Sequence, residues 1–459
     1  MSGTGAAAIT ARLDRLPPSR HVWTLVALLS VGGCFELYDL LMTAYISPGL
    51  IRSGIFEAGH KGFLGLPDQA LFAAITFAGL FVGTIGFGYV ADRYGRRAIF
   101  TYALLWYASA TLVMATRDSA LWIDVWRFVA GVGIGVELVT IDSYVAELVP
   151  KAMRGRAFAV NQAIQFASIP MAALLGWLLV PIDPFGIAGW RFVAAFPAVA
   201  AVLVWWIRRA VPESPRWLAQ HGRGAEADRV LTRIEARVAA ELRCPLPSVP
   251  PSVEEHGEAR FSEIWRPPYR RRTIMLSGFN VCQAIGFYGF GNWVPALLAA
   301  QGAGFTKSLQ YSFVIALASP TLPLLFVLFA DRIERKWQIV AAACGTAGFG
   351  LLFSQASTPL ALILCGVAIT VCNNLLSYAY HAYQAELFPT RIRARAVGFV
   401  YSFSRLSTVF NSFMIAFFLQ RFGTIGVFGF ITLAMLGVVV SIGGFGPRTR
   451  GLALEEISR

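Results

Sequence analysis

The sequence predicts an all-α membrane protein of twelve transmembrane helices in two six-helix, pseudo-symmetric halves. Three observations predict it. First, 56% of the 459 residues are hydrophobic and only 14% are charged, with a mean hydropathy of +0.59. A soluble chain is about 45–50% apolar and about a quarter charged, so no single core could hide this much apolar surface and the bilayer is the natural solvent. Second, the chain divides into twelve apolar runs, each near the ~20 residues needed to span a membrane. Third, two separate charged motifs recur at one offset. Asp92 and Asp331, Glu147 and Glu386, and Arg154 and Arg393 are each 239 residues apart. A parallel duplication of this size is an architecture of secondary transporters.

The elements follow in order. Residues 1–21 read as a short cytoplasmic tail carrying Arg12, Arg15 and Arg20. The first six spans lie at about 22–49, 70–91, 98–116, 120–146, 157–180 and 190–209, and form an N-terminal half over 22–209. A polar linker occupies 210–272. Its charge mix over 216–243 predicts one or two short amphipathic helices. Pro245, Pro247, Pro250 and Pro251 then favour irregular chain. The last six spans lie at about 273–300, 309–330, 337–356, 359–385, 396–420 and 424–446, and form the C-terminal half over 273–446. A cytoplasmic tail, 447–459, ends the chain.

Placing both termini inside puts 31 of the 39 Lys and Arg in the tails, linker and inner turns, which fixes that orientation in a plasma or bacterial inner membrane. The net charge of +13 therefore belongs to membrane turns and not to a nucleic-acid surface. The first apolar run is too long and too acidic for a cleavable leader. The six cysteines show no metal-ligand spacing and read as buried thiols without disulfide or zinc. No cofactor and no metal are expected. No nucleophile–base set appears in the polar loops, so an enzyme is not expected.

The stretch Gly86–Arg97 is a charged turn between spans two and three, and its copy is Asp331-Arg332-Ile333-Glu334-Arg335-Lys336. Asp92 and Asp331 can accept from amides at a neighbouring helix N-terminus. Glu147 and Glu386 can pair with arginines of the same set. In span one, Glu36 and Asp39 lie three residues apart and project from nearly one face. A carboxylate at membrane depth costs at least about 2.5–3.5 kcal/mol, so it needs a partner or a proton. Arg127 in span four is the obvious partner. Glu137 is a second candidate for a proton or cation. Polar stripes that could line a cavity are Asn161 and Gln165 in span five, Asn280 and Gln283 in span seven, Asn374 and Tyr378 in span ten, and Arg405 in span eleven. Arg405 is the most telling, because a cation within an apolar span favours an anionic ligand or an acid partner. Gly131, Gly133 and Gly135 lack the spacing and context of a nucleotide fingerprint and are expected to let helices approach closely.

Four motifs carry a resemblance to the major facilitator superfamily over essentially the whole chain. They are Gly88…Asp92-Arg93-Tyr94-Gly95-Arg96-Arg97, Arg127-Phe-Val-Ala-Gly131-Val-Gly133-Ile-Gly135, Pro212-Glu213-Ser214-Pro215-Arg216-Trp217-Leu218 and Gly446-Pro447-Arg448-Thr449-Arg450-Gly451-Leu452. The last two resemble motifs of sugar porters. The resemblance implies alternating access, with Asp39 and Arg127 coupling proton uptake to substrate binding. It also implies a cytoplasmic gate built from Asp92, Arg93, Arg96, Arg97, Glu147, Arg154, Glu213, Asp331, Arg332, Glu386 and Arg393. Span seven, Gln283-Ala-Ile-Gly286-Phe-Tyr288-Gly-Phe-Gly-Asn292-Trp293-Val-Pro295, lacks the hexose-binding run of true sugar porters and looks more like metabolite and aromatic-acid:proton symporters. The expected function is proton-coupled symport of a small organic acid, aromatic acids included, by a monomer. The alternatives are a sugar:proton symporter and a proton-coupled efflux antiporter. A receptor on the same scaffold is the remaining class.

Overall fold

The computed structural model describes residues 3–57, 65–199, 202, 207, 210–249, 261–321, 333–388 and 390–449. The described chain is helical throughout. α1 (Gly3–Asp14) precedes the first four spans, α2 (Arg20–Arg52), α3 (Asp68–Tyr94), α4 (Arg96–Ala115) and α5 (Ala120–Leu148). Span five is two helices, α6 (Arg154–Phe166) and α7 (Ser168–Leu179), and α8 (Gly189–Ala195) begins span six. The linker holds α9 (Pro215–Gln220) and α10 (Gly224–Leu242). Span seven is also divided, into α11 (Tyr269–Gly291) and α12 (Val294–Ala300), and α13 (Phe305–Ala316) begins span eight. α14 (Arg335–Gln355) and α15 (Pro359–Glu386) are spans nine and ten, and α16 (Thr390–Val438) carries spans eleven and twelve across a break at Gly423. Among the described residues, seven helical stretches are long and apolar enough to cross a membrane, and one of them, Arg395–Gly444, covers both spans eleven and twelve.

Spans five and seven were each expected to be continuous. Pro170 and Pro295 explain the breaks. A proline in the first turn of a helix has no N–H to extend the preceding one, so the chain restarts at Ser168 and at Val294. Gly423 has φ 64° and ψ −160°, a backbone that glycine adopts without steric cost.

The glycines of span four divide between two neighbours. A Cβ on Gly135 would stand 2.2 Å from the Leu80 carbonyl oxygen, and one on Gly131 would stand 2.6 Å from that of Thr76. From the other side, a Cβ on Gly83 would stand 2.1 Å from the Val132 oxygen. Gly131 and Gly135 thus let α5 cross α3 backbone to backbone, whereas Gly133 faces Trp106 and Tyr107 of α4. Backbone cannot swing aside as a side chain can. Gly83→Ala is therefore expected to cost about 1–3 kcal/mol through overpacking, read as a lower melting temperature in detergent. Gly86→Ala, with nothing within 4 Å of the added carbon, is the neutral control.

The 239-residue repeat reappears as matched contacts. Arg96 pairs with Glu147 at 3.1 Å, and Arg335 pairs with Glu386. Arg154 Nε donates to the Val149 carbonyl at 3.4 Å, and Arg393 Nε to that of Phe388 at 3.2 Å. Tyr144 donates to the Pro212 carbonyl at 2.5 Å, and Tyr383 to that of Pro447 at 2.7 Å. These contacts share one end of the bundle, the arginine-rich face.

The first residues differ from the expected tail. α1 buries Ile9 and Leu13, with Leu16 just beyond, in one cluster with Leu231, Ile234 and Val238 of α10. Arg12 and Arg15 reach Glu235 at 2.6 and 2.7 Å. Asp14 Oδ1 accepts from the Lys151 amide at 2.8 Å and from Arg216 Nη2 at 2.7 Å, which ties α1 to the arginine-rich face. Burial opposes the charge on Glu235, but the hydrogen bonds from Arg12 and Arg15 outweigh it and hold the carboxyl below its ordinary range. A depressed acid contributes stability above its unfolded pKa, and that contribution is lost as pH falls through the folded value. Docking of α1 should hold at neutral pH and weaken below about pH 4. Amide exchange in α1, corrected for intrinsic rates, should rise there, and Glu235→Gln should raise it already at neutral pH.

The cysteines also depart from expectation. All six are free, but Cys244 and Cys344 are exposed and the other four are only half-buried. An apolar span offers one side to lipid, so membership of a span does not imply a buried thiol.

Candidate functional site

Two buried arginines, one per half, organise the interior. In the N-terminal half, Arg127 and Asp39 are both fully buried and meet at 2.9 Å through Nη1 and Oδ2. Arg127 Nη2 donates to the Asp39 carbonyl at 2.5 Å, and Nε to Thr76 Oγ1 at 3.0 Å. Thr111 Oγ1 donates to Asp39 Oδ1 at 2.9 Å. The guanidinium also lies 5.9 Å from the centre of the Phe72 ring. Four helices, α2 to α5, converge on this pair. A buried pair holds together only when its remaining donors and acceptors are met, and the two threonines meet them. Glu36 is buried on the same helix as Asp39, and Glu137 is fully buried in α5.

In the C-terminal half, Arg405 of α16 is 2% exposed. Nη1 donates to the Tyr288 hydroxyl at 2.6 Å and Nη2 to that of Tyr401 at 2.9 Å. Its guanidinium lies 4.8 Å from the Tyr401 ring centre, and Nε has no partner. Among the described residues no carboxylate pairs with it. Tyr288 also faces the other half, its ring 4.8 Å from that of Phe77 in α3.

The halves enclose a cavity of about 50 Å³, lined by Leu41, Tyr45 and Ile169 from the first half, and by Phe287, Asn373 and Asn374 among others from the second. That is room for a few waters. On the side away from the arginine-rich face, Trp177 stacks on Phe313 with ring centres 5.8 Å apart, and Arg52 lies 6.0 Å from the Phe305 ring centre.

The expected polar stripes fare unequally. Asn374 lines the cavity and donates to the Ser319 carbonyl at 3.3 Å. Asn161 is buried and accepts from Gln165 at 3.2 Å, and Gln165 lies against Gly33 of α2. Asn280 donates to the Leu276 carbonyl of its own helix at 2.9 Å, and its Oδ1 is unmet. Gln283 is buried and Tyr378 half-buried. Thr408 and Ser412, which extend the Arg405 stripe, return their hydroxyls to their own helix.

At the arginine-rich face, Glu213 caps α4: it accepts from the Arg96 and Arg97 amides at 3.0 and 3.2 Å. Burial pushes its carboxyl up, and backbone amides of Ser214, Arg97 and Arg96 partly hold it down. Glu213 is thus an amide acceptor at this turn. The side chain of Asp92 lies outside the described residues, as do Asp331 and Arg332. Arg93 lies over Tyr94, 5.6 Å from the ring centre. Arg154 stands 3.8 Å from Asp14.

Thr76, Thr111, Tyr107, Tyr288 and Tyr401 were not read as site residues. A threonine isolated in an apolar span was the available signal for the first two. Nothing in the spacing says which helix a tyrosine hydroxyl will face.

A duplicated helical bundle with a buried Asp39–Arg127 pair and a cavity between its halves has the build of a membrane transporter. The profile of the family described as "Sugar (and other) transporter" matches residues 25–459, and the chain belongs to that family. A putative metabolite transport protein, YyaJ of Bacillus subtilis (strain 168), is 31% identical over 441 residues, covering 95% of each chain. The niacin transporter NiaP of Acinetobacter baylyi is 25% identical over 452 residues, 98% of this chain and 99% of that one. Among solved structures, the inward-open xylose transporter XylE from Escherichia coli matches with a TM-score of 0.72 at 19% identity, over 95% of this chain and 99% of that one. That likeness shows a shared fold.

Proposed function

We propose that the chain is a proton-coupled symporter of small organic acids, aromatic monocarboxylates among them, in a bacterial inner membrane with its arginine-rich face and both termini in the cytoplasm. One observation carries the substrate class. Arg405 is a buried cation held by two tyrosine hydroxyls with no carboxylate partner among the described residues. A guanidinium presents a planar fork that fits a carboxylate, and a carboxylate supplies the charge it lacks. The aromatic rings around it suit a flat apolar body. A relative named as a niacin transporter supports the same class.

Asp39 carries the coupling. When it takes a proton, its charge attraction to Arg127 is lost and the helices α2 and α5 are free to shift. Two conformers separated by a few kcal/mol respond to such a change. The cytoplasmic pairs Arg96–Glu147 and Arg335–Glu386 belong to the gate that must rearrange in each cycle.

The test is uptake into proteoliposomes with and without an inward proton gradient. Labelled benzoate, nicotinate, shikimate-type acids, xylose and glucose would be screened against protein-free vesicles, which subtract passive entry of neutral acid. Gradient-driven uptake of an acid is the expected result. Driven uptake of a pentose or hexose, without uptake of acids, would overturn the substrate class in favour of a sugar. Accumulation unaffected by the gradient would overturn the coupling.

A further inference from the structure

The Asp39–Arg127 pair leaves further buried acids in the spans, Glu36, Asp124 and Glu137 among the described residues. Glu137 is fully buried, and neither of its carboxyl oxygens has a hydrogen-bond partner among the described residues. A Cβ on Gly32 would stand 3.6 Å from Glu137 Oε1, so the carboxyl faces bare backbone of α2. Glu36, one turn along α2 and 4% exposed, lies within electrostatic reach of it. From α4, Tyr107 lies within electrostatic reach of Glu36, Glu137, Asp39 and Cys34, and its fully buried hydroxyl has no partner either. Phe100 of α4 closes against Gly32. The nearby cation of α5, Arg127, is already engaged by Asp39, Thr76 and the α2 backbone.

Two buried carboxylates within electrostatic reach of each other disfavour a charge on both. A buried acid with both oxygens unmet is retained at a cost, and here an unmet phenol stands beside it.

We infer that Glu36 and Glu137 form a second protonation site, separate from Asp39, that carries one further proton in each transport cycle. This rests on the symport reading. In the loaded form both carboxyls keep their O–H bonds. On release the Glu36 O–H bond breaks, the proton passes to water in the central site, and Glu36 becomes a carboxylate beside the Glu137 acid. Loading reverses the step. Glu36, the slightly exposed member, is the one that exchanges with water. The Asp39 proton balances the charge of a monocarboxylate, so the second proton leaves each cycle with one net positive charge inward. Transport is then electrogenic.

The experiment uses full-length protein in proteoliposomes on a solid-supported membrane, with nicotinate and benzoate pulses at equal pH on both sides. Passive entry of neutral acid moves no charge and gives no current. Wild type should give an inward positive current, and an inside-negative potential of ~100 mV should raise its accumulation about 50-fold. Glu36→Gln should lose the current, with the remaining gradient-driven uptake electroneutral, whereas Glu137→Gln, which stands in for the acid that keeps its proton, should retain it. Gradient-driven uptake by wild type with no current and no response to potential would overturn the inference and leave the symport reading standing. A wild-type current in Glu36→Gln would also overturn it. Absence of any gradient-driven uptake would sink both. The wild-type current decides the matter even if a variant fails to fold.

Discussion

Asp39→Asn is expected to abolish gradient-driven accumulation of substrate and to lower stability at the same time. Asp39 is the only carboxylate that Arg127 touches among the described residues, and both are fully buried. Removing one member of a buried pair leaves an uncompensated charge and costs about 3–5 kcal/mol. The amide keeps one acceptor oxygen, so it can accept from Arg127 or from Thr111 but no longer from both, and it cannot exchange a proton. Counterflow of unlabelled against labelled substrate should survive, since it needs no net proton movement. Asp39→Asn with Arg127→Gln should recover much of the lost melting temperature, because the pair is then neutral on both sides, yet accumulation should stay at the equilibrium ratio. Uptake against a gradient in the single variant at the wild-type level would disprove the role of Asp39.

The second large effect is at Arg405. If its guanidinium receives the substrate carboxylate, Arg405→Gln removes charge-assisted hydrogen bonds worth about 1.5–3 kcal/mol each. A net loss of about 2–4 kcal/mol corresponds to roughly 30- to 1000-fold weaker binding of the acid. Arg405→Lys keeps the charge and loses the fork, so it should fall between. Wild type should prefer nicotinate to nicotinamide, and Arg405→Gln should not. Binding by titration calorimetry on purified protein measures this without any contribution from coupling. Equal affinity of wild type and Arg405→Gln for the acid would remove Arg405 from the substrate site.

Much of the architecture was legible because it is written in composition and spacing. Lipid exposure forces long apolar runs, and the arginines between them mark the turns. The constant offset between Glu147 and Glu386 marks the duplication, and the Arg96–Glu147 and Arg335–Glu386 pairs are its three-dimensional counterpart. The Asp39–Arg127 contact was also within reach. A membrane span holds few charges, so an acid and a base in neighbouring spans have little choice of partner.

Other features were not legible, for identifiable reasons. α1 docks on α10 through Leu13 and Glu235, residues more than two hundred positions apart. A polar stretch with scattered apolar residues reads as a tail until its partner face is known. Glu213 caps α4 because the chain returns there after span six, a contact between residues more than a hundred positions apart that no local spacing shows. The tyrosines on Arg405 come from two spans, and helical periodicity says which residues share a face but not what that face meets.

By itself, then, the sequence determined the solvent, the number of spans, the repeat and the acids and arginines that must be accounted for, since each follows from the cost of polar groups in hydrocarbon. Only the tertiary structure decided which glycines touch which helix, which hydroxyls reach Arg127 and Arg405, and that Glu137 has no hydrogen-bond partner among the described residues. Those outcomes depend on the rotation and crossing of helices far apart in the chain, set by backbone contacts such as Gly83 on Val132 that no local pattern encodes.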